Sequence, residues 1–283
     1  MAKLLEGKLV AAALKEKHLA SVNELMAKGI TPTLGIIRVG ERLDDVAYEK
    51  SAAKRCEGSG VAVKAMALPK DATQDELLKL IDQVNKDASI HGVLLLQPLP
   101  VHMDDKVVRN ALAPEKDVDG ITDASLAGVF TGGGKGFAPC TARSCIEVLD
   151  YFGYELKGKK VTVIGRSLVV GKPVAMMLLD RHATVTVCHT HTADMAGVCR
   201  AAEILIVAAG RAGIAGREFL SPGQIVIDVG VNFDEDGKMC GDVDFAAAEA
   251  IVEAITPVPG GVGTVTTSVL VGNVIAAAQR GNL

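Results

Sequence analysis

Short apolar runs alternate with amphipathic stretches along this 283-residue chain. Compact apolar runs bounded by Gly, Pro or Asp are typical of buried strands, and apolar positions spaced by three and four residues are typical of helices. The pattern predicts strands at 33–39, 61–68, 92–96, 160–164, 184–188, 204–208, 225–229 and 252–255. It predicts helices at 8–28, 46–57, 73–87, 142–152, 172–181, 193–201 and 264–279. This alternation predicts crossover units and parallel sheets, and therefore an α/β fold.

The alternation is interrupted by residues 113–138, a stretch rich in Gly and Asp that we predict to be a long connection. Loops of this length inside a compact protein are usually functional. We predict an N-terminal α/β domain of residues 1–140 plus 263–283, and a second, Rossmann-like domain of residues 141–262. The last helix has no sheet of its own to cover, so we expect it to return to the first domain.

Residues 160–173 combine a buried strand, a turn and the start of a helix. Gly165 allows a sharp turn after the strand, and Pro173 suits the first turn of the helix. The free N–H groups and the dipole at that helix start favour a bound phosphate. The run is not G-x-G-x-x-G, because Ser167 and Gly171 occupy the later positions. An ordinary strand–helix connection is therefore an equally good interpretation of this stretch alone.

Composition narrows the function classes. The net charge of −4 and the absence of a basic stripe argue against nucleic-acid binding, and no apolar run approaches the ~20 residues of a membrane span. The N-terminus lacks the apolar core of a signal peptide, so we expect a cytoplasmic protein. Six cysteines without a C-x-x-C pair suggest neither a disulfide framework nor a zinc site. His189 and His191 lack a companion carboxylate or thiolate, so we predict no metal.

The predicted strand at 92–96 runs into Gln97-Pro98-Leu99-Pro100. Two prolines end the strand's hydrogen bonding and form a rigid rim. Ligands of open α/β sheets bind outside the carboxyl ends of the strands, so Gln97 lies where function is expected. A glutamine that merely stabilises the turn is the alternative interpretation.

Together these landmarks resemble the methylenetetrahydrofolate dehydrogenase/methenyltetrahydrofolate cyclohydrolase family of one-carbon metabolism. The order and spacing agree from about residue 30 to the C-terminus. The matching pieces are Tyr48, Gln97-Pro98-Leu99-Pro100, Lys116-Asp117-Val118-Asp119-Gly120, Pro139-Cys140-Thr141, Gly165-Arg166-Ser167, Val170-Gly171-Lys172-Pro173, Asp228-Val229-Gly230 and 257–263. The resemblance implies two α/β domains around a cleft, with folate on the first and NADP on the second, and a homodimer.

The resemblance also implies roles for the folate-site residues. Tyr48 would stack along the folate, and Asp119 would accept hydrogen bonds from the pterin N–H groups. Tyr48, Gln97 and Asp119 are the expected catalytic residues. The expected substrate-binding set is Tyr48, Gln97, Pro98, Leu99, Asp119, Pro259, Gly260 and Gly261. A core tyrosine and a loop-capping aspartate are the alternatives for Tyr48 and Asp119, and capping is the more plausible role for Asp117.

For the cofactor, the resemblance and the residues agree on NADP. NAD-selective Rossmann units carry an acid about 20 residues after the glycine turn, whereas the second strand here ends in Val187-Cys188-His189-Thr190. Arg166 and the Thr190 hydroxyl can instead receive a 2′-phosphate. The expected cofactor-binding residues are Gly165, Arg166, Ser167, Gly171, Pro173, Thr190 and Val231. A solvated surface charge is the alternative for Arg166.

One position departs from the family pattern. Bifunctional members carry a lysine four residues after the tyrosine, on the same helix face because four residues turn about 40° past a full turn. Here that position is Ala52, while Lys50 and Lys54 fall on other faces. We therefore expect NADP-dependent oxidation of 5,10-methylenetetrahydrofolate, with weak or absent cyclohydrolase activity. The alternatives are a fully bifunctional enzyme, a shikimate- or malate-type dehydrogenase, and a non-catalytic folate- or nucleotide-binding module.

Overall fold

The computed structural model describes residues 1–281. Its strands are β1 (Lys3–Leu4), β2 (Thr33–Val39), β3 (Ala62–Leu68), β4 (Gly92–Leu95), β5 (Lys160–Ile164), β6 (Thr184–Cys188), β7 (Ile204–Val207), β8 (Ile225–Asp228), β9 (Asn232–Phe233), β10 (Met239–Cys240) and β11 (Ala254–Ile255). Its α-helices are α1 (Gly7–Ala27), α2 (Leu43–Glu57), α3 (Gln74–Lys86), α4 (Asp105–Asn110), α5 (Asp123–Thr131), α6 (Cys140–Tyr151), α7 (Gly171–Asp180), α8 (Met195–Arg200), α9 (Phe245–Glu249) and α10 (Val262–Arg280).

One compact unit consists of Ala13–Cys140 and the chain from Thr267 onward, and we call it the substrate unit. Its sheet has the order β3-β2-β4 with all strands parallel. The central strand β2 is buried along its length, as its apolar run predicts. Helix α3 begins with a capping box in which Thr73 and Glu76 each bond the other's backbone N–H, which agrees with the predicted start of this helix at residue 73.

The other unit consists of Met1–Ala12 and Thr141–Thr266, and we call it the nucleotide unit. Its six-stranded sheet has the order β1-β11-β8-β7-β5-β6, with every pairing parallel. In this register Ile164 lies beside Cys188 and Val207, and Val207 lies beside Asp228. The loops that follow these strands therefore leave the same edge of the sheet. This confirms the α/β class and the Rossmann-like arrangement.

The structure groups residues 1–12 differently from the predicted domain boundaries. We expected them in the first domain, but β1 pairs in parallel with β11 at the edge of the nucleotide unit's sheet. The backbone N–H of Leu5 also donates to Ile255 at 2.9 Å. A two-residue strand has no readable periodicity, and its partner lies about 250 residues away in the chain.

The connection predicted over 113–138 is not free of regular structure, and that expectation was wrong. It contains a 3₁₀ turn at Pro114–Lys116 and helix α5. The Thr122 side chain caps the start of α5 by accepting the Ser125 N–H, and Gly132 ends it with φ +71°. Both signals are present in the sequence, but α5 buries few side chains and so lacks a clear apolar stripe. The short elements β9, β10, α4 and α9 also escaped prediction.

Helix α10 is long and apolar enough to cross a membrane by length and composition, yet most of it is buried inside the protein. Its residues from Thr267 onward belong to the substrate unit, as expected for a returning helix. Asn273 on α10 donates a hydrogen bond to the Val118 carbonyl at 2.8 Å. The helix thereby reaches the segment that carries Asp117 and Asp119.

Candidate functional site

The turn between β5 and α7 is built so closely that side chains do not fit at two positions. Gly165 has φ +117°, and a Cβ there would lie 2.1 Å from the carbonyl oxygen of Ala208. A Cβ at Gly171 would lie 2.2 Å from the carbonyl oxygen of Gly165. Glycine is therefore required at both ends of the turn, where the first residues of α7 fold back over the strand end.

Ser167 organises the N-terminus of α7. Its hydroxyl accepts the Val170 N–H at 3.1 Å, and its carbonyl accepts the Lys172 N–H at 3.0 Å. Within residues 1–281, the backbone N–H groups of Arg166, Ser167 and Leu168 donate to no protein group. Pro173 is buried in the first turn of the helix, where it needs no N–H partner. Unpaired donors at the start of a ten-residue helix suit a dinucleotide phosphate.

Arg166 and Thr190 leave the sheet side by side. Ile164 and Cys188 are paired at the ends of β5 and β6, and Arg166 and Thr190 each come two residues after them. Both side chains are exposed. The His189 N–H donates to the Thr192 hydroxyl at 2.9 Å, which shapes the loop that carries Thr190. No acid stands at the end of β6, so a 2′-phosphate would meet donors rather than a like charge. Val231 is exposed after β8, at the same sheet edge.

Two aspartates that sequence reasoning did not single out as site residues organise the neighbouring loops. The fully buried Asp242 carboxylate accepts backbone N–H groups from Ala209, Gly210 and Arg211 at 2.6–2.9 Å. Asp228 accepts the N–H groups of Gly230 and Asp242. Burial raises the pKa of Asp228 to about 6. The Asp228-Val229-Gly230 motif was visible in the sequence, but the partner at Asp242 carried no local signal.

In the substrate unit the structure brings Tyr48, Asp119 and Cys140 together. Burial raises the pKa of the Tyr48 phenol, and the charges of Asp119, Cys140 and Cys56 raise it further. Burial raises the pKa of Asp119 to about 7, the hydrogen bond with Cys140 lowers it, and the charge of Asp117 adds to the rise. A carboxyl group with a pKa near neutrality beside a partly buried phenol is typical of a binding site.

Asp117 and Asp119 have different roles although they are two residues apart. The Asp117 carboxylate accepts the N–H groups of Ile121 and Thr122 at 3.0 and 2.8 Å and the Ser125 hydroxyl at 2.6 Å. Asp117 is therefore the structural cap of this segment. The backbone N–H groups that bond Asp117 do not bond the side chain of Asp119. The Asp119 carboxyl can therefore still accept hydrogen bonds from a ligand.

The helix that carries Tyr48 is continuous from Leu43 to Glu57. Ala52 is fully buried, while Lys50 and Lys54 are exposed. Within residues 1–281, no lysine is among the groups that shift the Tyr48 pKa in either direction. The face of α2 next to Tyr48 thus carries a methyl group where the family pattern has an ammonium.

Gln97 is exposed, and its side-chain oxygen accepts the Leu99 N–H at 3.1 Å. This is the turn-stabilising contact that was the alternative to a catalytic role. The Gln97–Pro98 peptide is cis. Pro98 and Leu99 line a surface cleft at the carboxyl ends of β2, β3 and β4, together with Arg38 and Lys70.

The segment 257–263, here called the rim, lies in the nucleotide unit. Its Val258–Pro259 peptide is cis, and Gly260 has φ +109°. A Cβ at Gly261 would lie 2.5 Å from the Pro257 carbonyl oxygen. The Gly7 N–H donates to the Gly260 carbonyl at 2.8 Å, so the start of α1 holds the rim in place.

Comparisons with known proteins agree with this arrangement. Residues 5–119 match the family model "Tetrahydrofolate dehydrogenase/cyclohydrolase, catalytic domain", and residues 139–282 match its "NAD(P)-binding domain". "Bifunctional protein FolD" of Clostridioides difficile is 46% identical over 279 residues, covering 99% of this chain and 97% of that protein.

Two solved structures extend the comparison. The bifunctional enzyme FolD from Campylobacter jejuni, a methylenetetrahydrofolate dehydrogenase/cyclohydrolase, has a TM-score of 0.96 at 39% identity and covers 99% of both chains. The Trypanosoma brucei dehydrogenase-cyclohydrolase, complexed with NADP cofactor and inhibitor, has a TM-score of 0.91 at 34% identity and covers 99% of this chain and 98% of its own.

Proposed function

Since the chain belongs to the tetrahydrofolate dehydrogenase/cyclohydrolase family, we propose that it oxidises 5,10-methylenetetrahydrofolate to 5,10-methenyltetrahydrofolate with NADP as the acceptor. The match over both units confirms the resemblance drawn from the motifs and disfavours the shikimate- or malate-type alternative. The single observation that carries the proposal is the partly buried Asp119 carboxyl beside Tyr48.

The pterin ring explains why this pair suits folate. The ring presents an N–H and an amino group on one edge, and an ionised carboxylate accepts both at once. Asp119 titrates with a pKa of about 7, so it is largely ionised at slightly alkaline pH. Tyr48 supplies a flat, mostly buried surface for stacking. These residues bind and orient the substrate, and neither is required to exchange a proton during hydride loss.

The nucleotide unit supplies groups that fit NADP. The unpaired N–H groups after Gly165 would hold the pyrophosphate, and Arg166 with Thr190 would hold the 2′-phosphate. NADP, when bound, supplies the nicotinamide ring that accepts the hydride. The protein's task is to fix both ligands in reacting orientation and to exclude water.

The second family activity, hydrolysis of the methenyl product, is weak or absent in this proposal. Opening the ring needs an activated water and a group that moves protons, which a lysine with lowered pKa provides. Ala52 has no exchangeable proton. Full bifunctionality is the second candidate, favoured by the relatives that are named bifunctional.

The proposal includes a cytoplasmic homodimer. The six cysteines are all free thiols, which suits a reducing compartment. Strand β6 is an edge of the six-stranded sheet, and Leu168, Val169 and Val187 are apolar and exposed on that unit. Exposed apolar groups near an unpaired edge support association with a second copy.

The test is an absorbance assay with purified protein, 5,10-methylenetetrahydrofolate and either NADP or NAD. Formation of the methenyl product with NADP is expected, at a higher kcat/KM than with NAD. Asp119→Ala should abolish turnover without changing the thermal midpoint by more than a few degrees. If both ligands bind and no dinucleotide is reduced, the protein is a binding module and the proposal fails.

A further inference from the structure

A partly buried hydrogen-bond network links Asp119 to helix α10. The Cys140 thiol donates to the Val118 carbonyl at 3.2 Å and also bonds the Asp119 carboxyl. Asn273 donates to the same Val118 carbonyl at 2.8 Å, and its nitrogen lies 3.6 Å from the Cys140 sulfur. Cys140 is 1% exposed and Val118 is fully buried, so water does not compete for the bond between this thiol and this carbonyl.

The thiol has one hydrogen but two acceptors. A thiol is a weak donor to a neutral carbonyl, and it donates more strongly to an ionised carboxylate. If the hydrogen turns to Asp119, the Val118 carbonyl would lose a partner. The amide of Asn273 prevents that loss because it bonds this carbonyl already. A buried carbonyl left unpaired would otherwise cost free energy.

We propose that Cys140 is a positioning residue for Asp119, whose S–H turns from the Val118 carbonyl to the carboxylate as that group ionises to bind the pterin, and that Asn273 makes this turn possible. The inference rests on the proposed function because it takes folate as the ligand. It adds two residues that touch neither substrate nor cofactor in the scheme above.

The surroundings of Asp119 explain why one weak donor matters. Tyr48 faces it from α2 as a neutral phenol with a raised pKa, and Asp117 faces it from the same segment as a like charge. Cys140 faces it from the start of α6. Among the influences of residues 1–281 on the Asp119 pKa, burial and Asp117 raise it, and only the hydrogen bond with Cys140 lowers it. Removing the thiol therefore removes the interaction that favours the ionised acid.

The experiment measures the Kd of tetrahydrofolate by calorimetry from pH 5.5 to 9 on the full chain. Cys140→Ala should move the pH at which binding is lost upward by about one unit, since one unit corresponds to one weak charged hydrogen bond. Affinity then falls about fivefold at pH 7 and matches the unaltered protein at pH 9. Cys140→Ser keeps a donor and should stay within about twofold at every pH.

Cys145→Ala is the matched control. Cys145 is also a buried thiol of α6, but its sulfur bonds the Thr141 carbonyl one turn earlier in the helix. Its replacement should lower stability to a similar degree and leave the pH profile unchanged. Asn273→Ala should shift the profile in the same direction as Cys140→Ala. Combining the two changes should add little, because both act through one thiol hydrogen.

Equal pH profiles for Cys140→Ala and the unaltered protein would overturn the inference, as would the same shift in Cys145→Ala. A protein that binds tetrahydrofolate with the expected shift but reduces no dinucleotide refutes the proposed function and leaves the positioning role intact. A protein that binds no folate at any pH refutes both. Thermal midpoints identify any variant that has failed to fold. If Cys140→Ala is such a variant, the pH profile of Cys140→Ser tests the inference in its place.

Discussion

The Asp228 carboxylate accepts the backbone N–H of Asp242 at 3.0 Å, although Asp228 ends strand β8 and Asp242 lies in the loop after β10. Asp242 in turn bonds three consecutive N–H groups of the loop after β7. The two carboxylates therefore hold the loops that follow β7 and β8 against each other. Both loops leave the sheet edge that carries Gly165 and Arg166.

Asp242→Ala should destabilise the protein by about 3 kcal/mol, because several backbone N–H groups lose a charged acceptor. NADP affinity should fall with it, since the loop after β7 borders the phosphate turn through Ala208. Urea denaturation and dinucleotide titration measure the two effects. Asp236→Ala, an exposed change in the β9–β10 turn, is the control and should stay within about 0.5 kcal/mol.

Arg166→Ala should weaken NADP binding by roughly 1.5–3 kcal/mol, the scale of a hydrogen bond to a charged group, and leave NAD binding nearly unchanged. The reason is that only NADP carries the 2′-phosphate that Arg166 would pair. Arg217→Ala removes an exposed cation elsewhere on the same unit and serves as the control. Equal losses for both dinucleotides would contradict the assignment of Arg166.

Ala52→Lys should create or strongly increase hydrolysis of the methenyl product. A lysine there would share the face of Tyr48 on α2. One acid–base group contributes typically ~10²–10⁴-fold in rate, so the gain should stand clearly above the blank. The measurement follows the decay of methenyltetrahydrofolate absorbance with enzyme and with buffer alone.

Ala53→Lys is the control for this change, because position 53 lies about 100° further round the helix. It should give no gain. If the unaltered protein already hydrolyses the product well above the blank, the interpretation of Ala52 is wrong and the chain is fully bifunctional.

The burial of His18 predicts that the folded protein loses stability in acid. His18 lies buried on α1 against Gly272 of α10, and burial together with the nearby Lys17 lowers its pKa from 6.5 to about 4. The unfolded chain binds a proton at pH 6.5 while the folded chain does not until about pH 4. Stability is therefore complete above pH 6.5 and falls as the pH drops from 6.5 to 4, by about 3 kcal/mol at most.

His18→Leu should remove this part of the acid sensitivity. The free energy of unfolding, measured in urea at pH 8 and pH 4.5, should then change less with pH than in the unaltered protein. His191→Leu replaces an exposed histidine and should leave the pH dependence as it was. An unaltered slope in His18→Leu would show that His18 is not the sensitive group.

The sequence by itself determined the positions of the main strands, turns and helix starts of this protein, because these depend on local chemistry. Buried parallel strands such as β2 and β5 are apolar runs, so their positions follow from composition alone. The Gly165 turn and the Thr73 capping box are also local, because each is closed by atoms a few residues apart. The motifs around Tyr48 and Asp119 identified the family for the same reason.

The tertiary structure decided what depends on distant partners. Asp117 and Asp119 look alike in the chain, and only their hydrogen bonds make one a cap and the other a candidate ligand. Residues 3–4 form strand β1 because they pair in parallel with β11. Cys140 and Asn273 are separated by 133 residues, so no local pattern could join them. Periodicity records the burial of each element, whereas the partner of a buried polar group is fixed only when the chain folds.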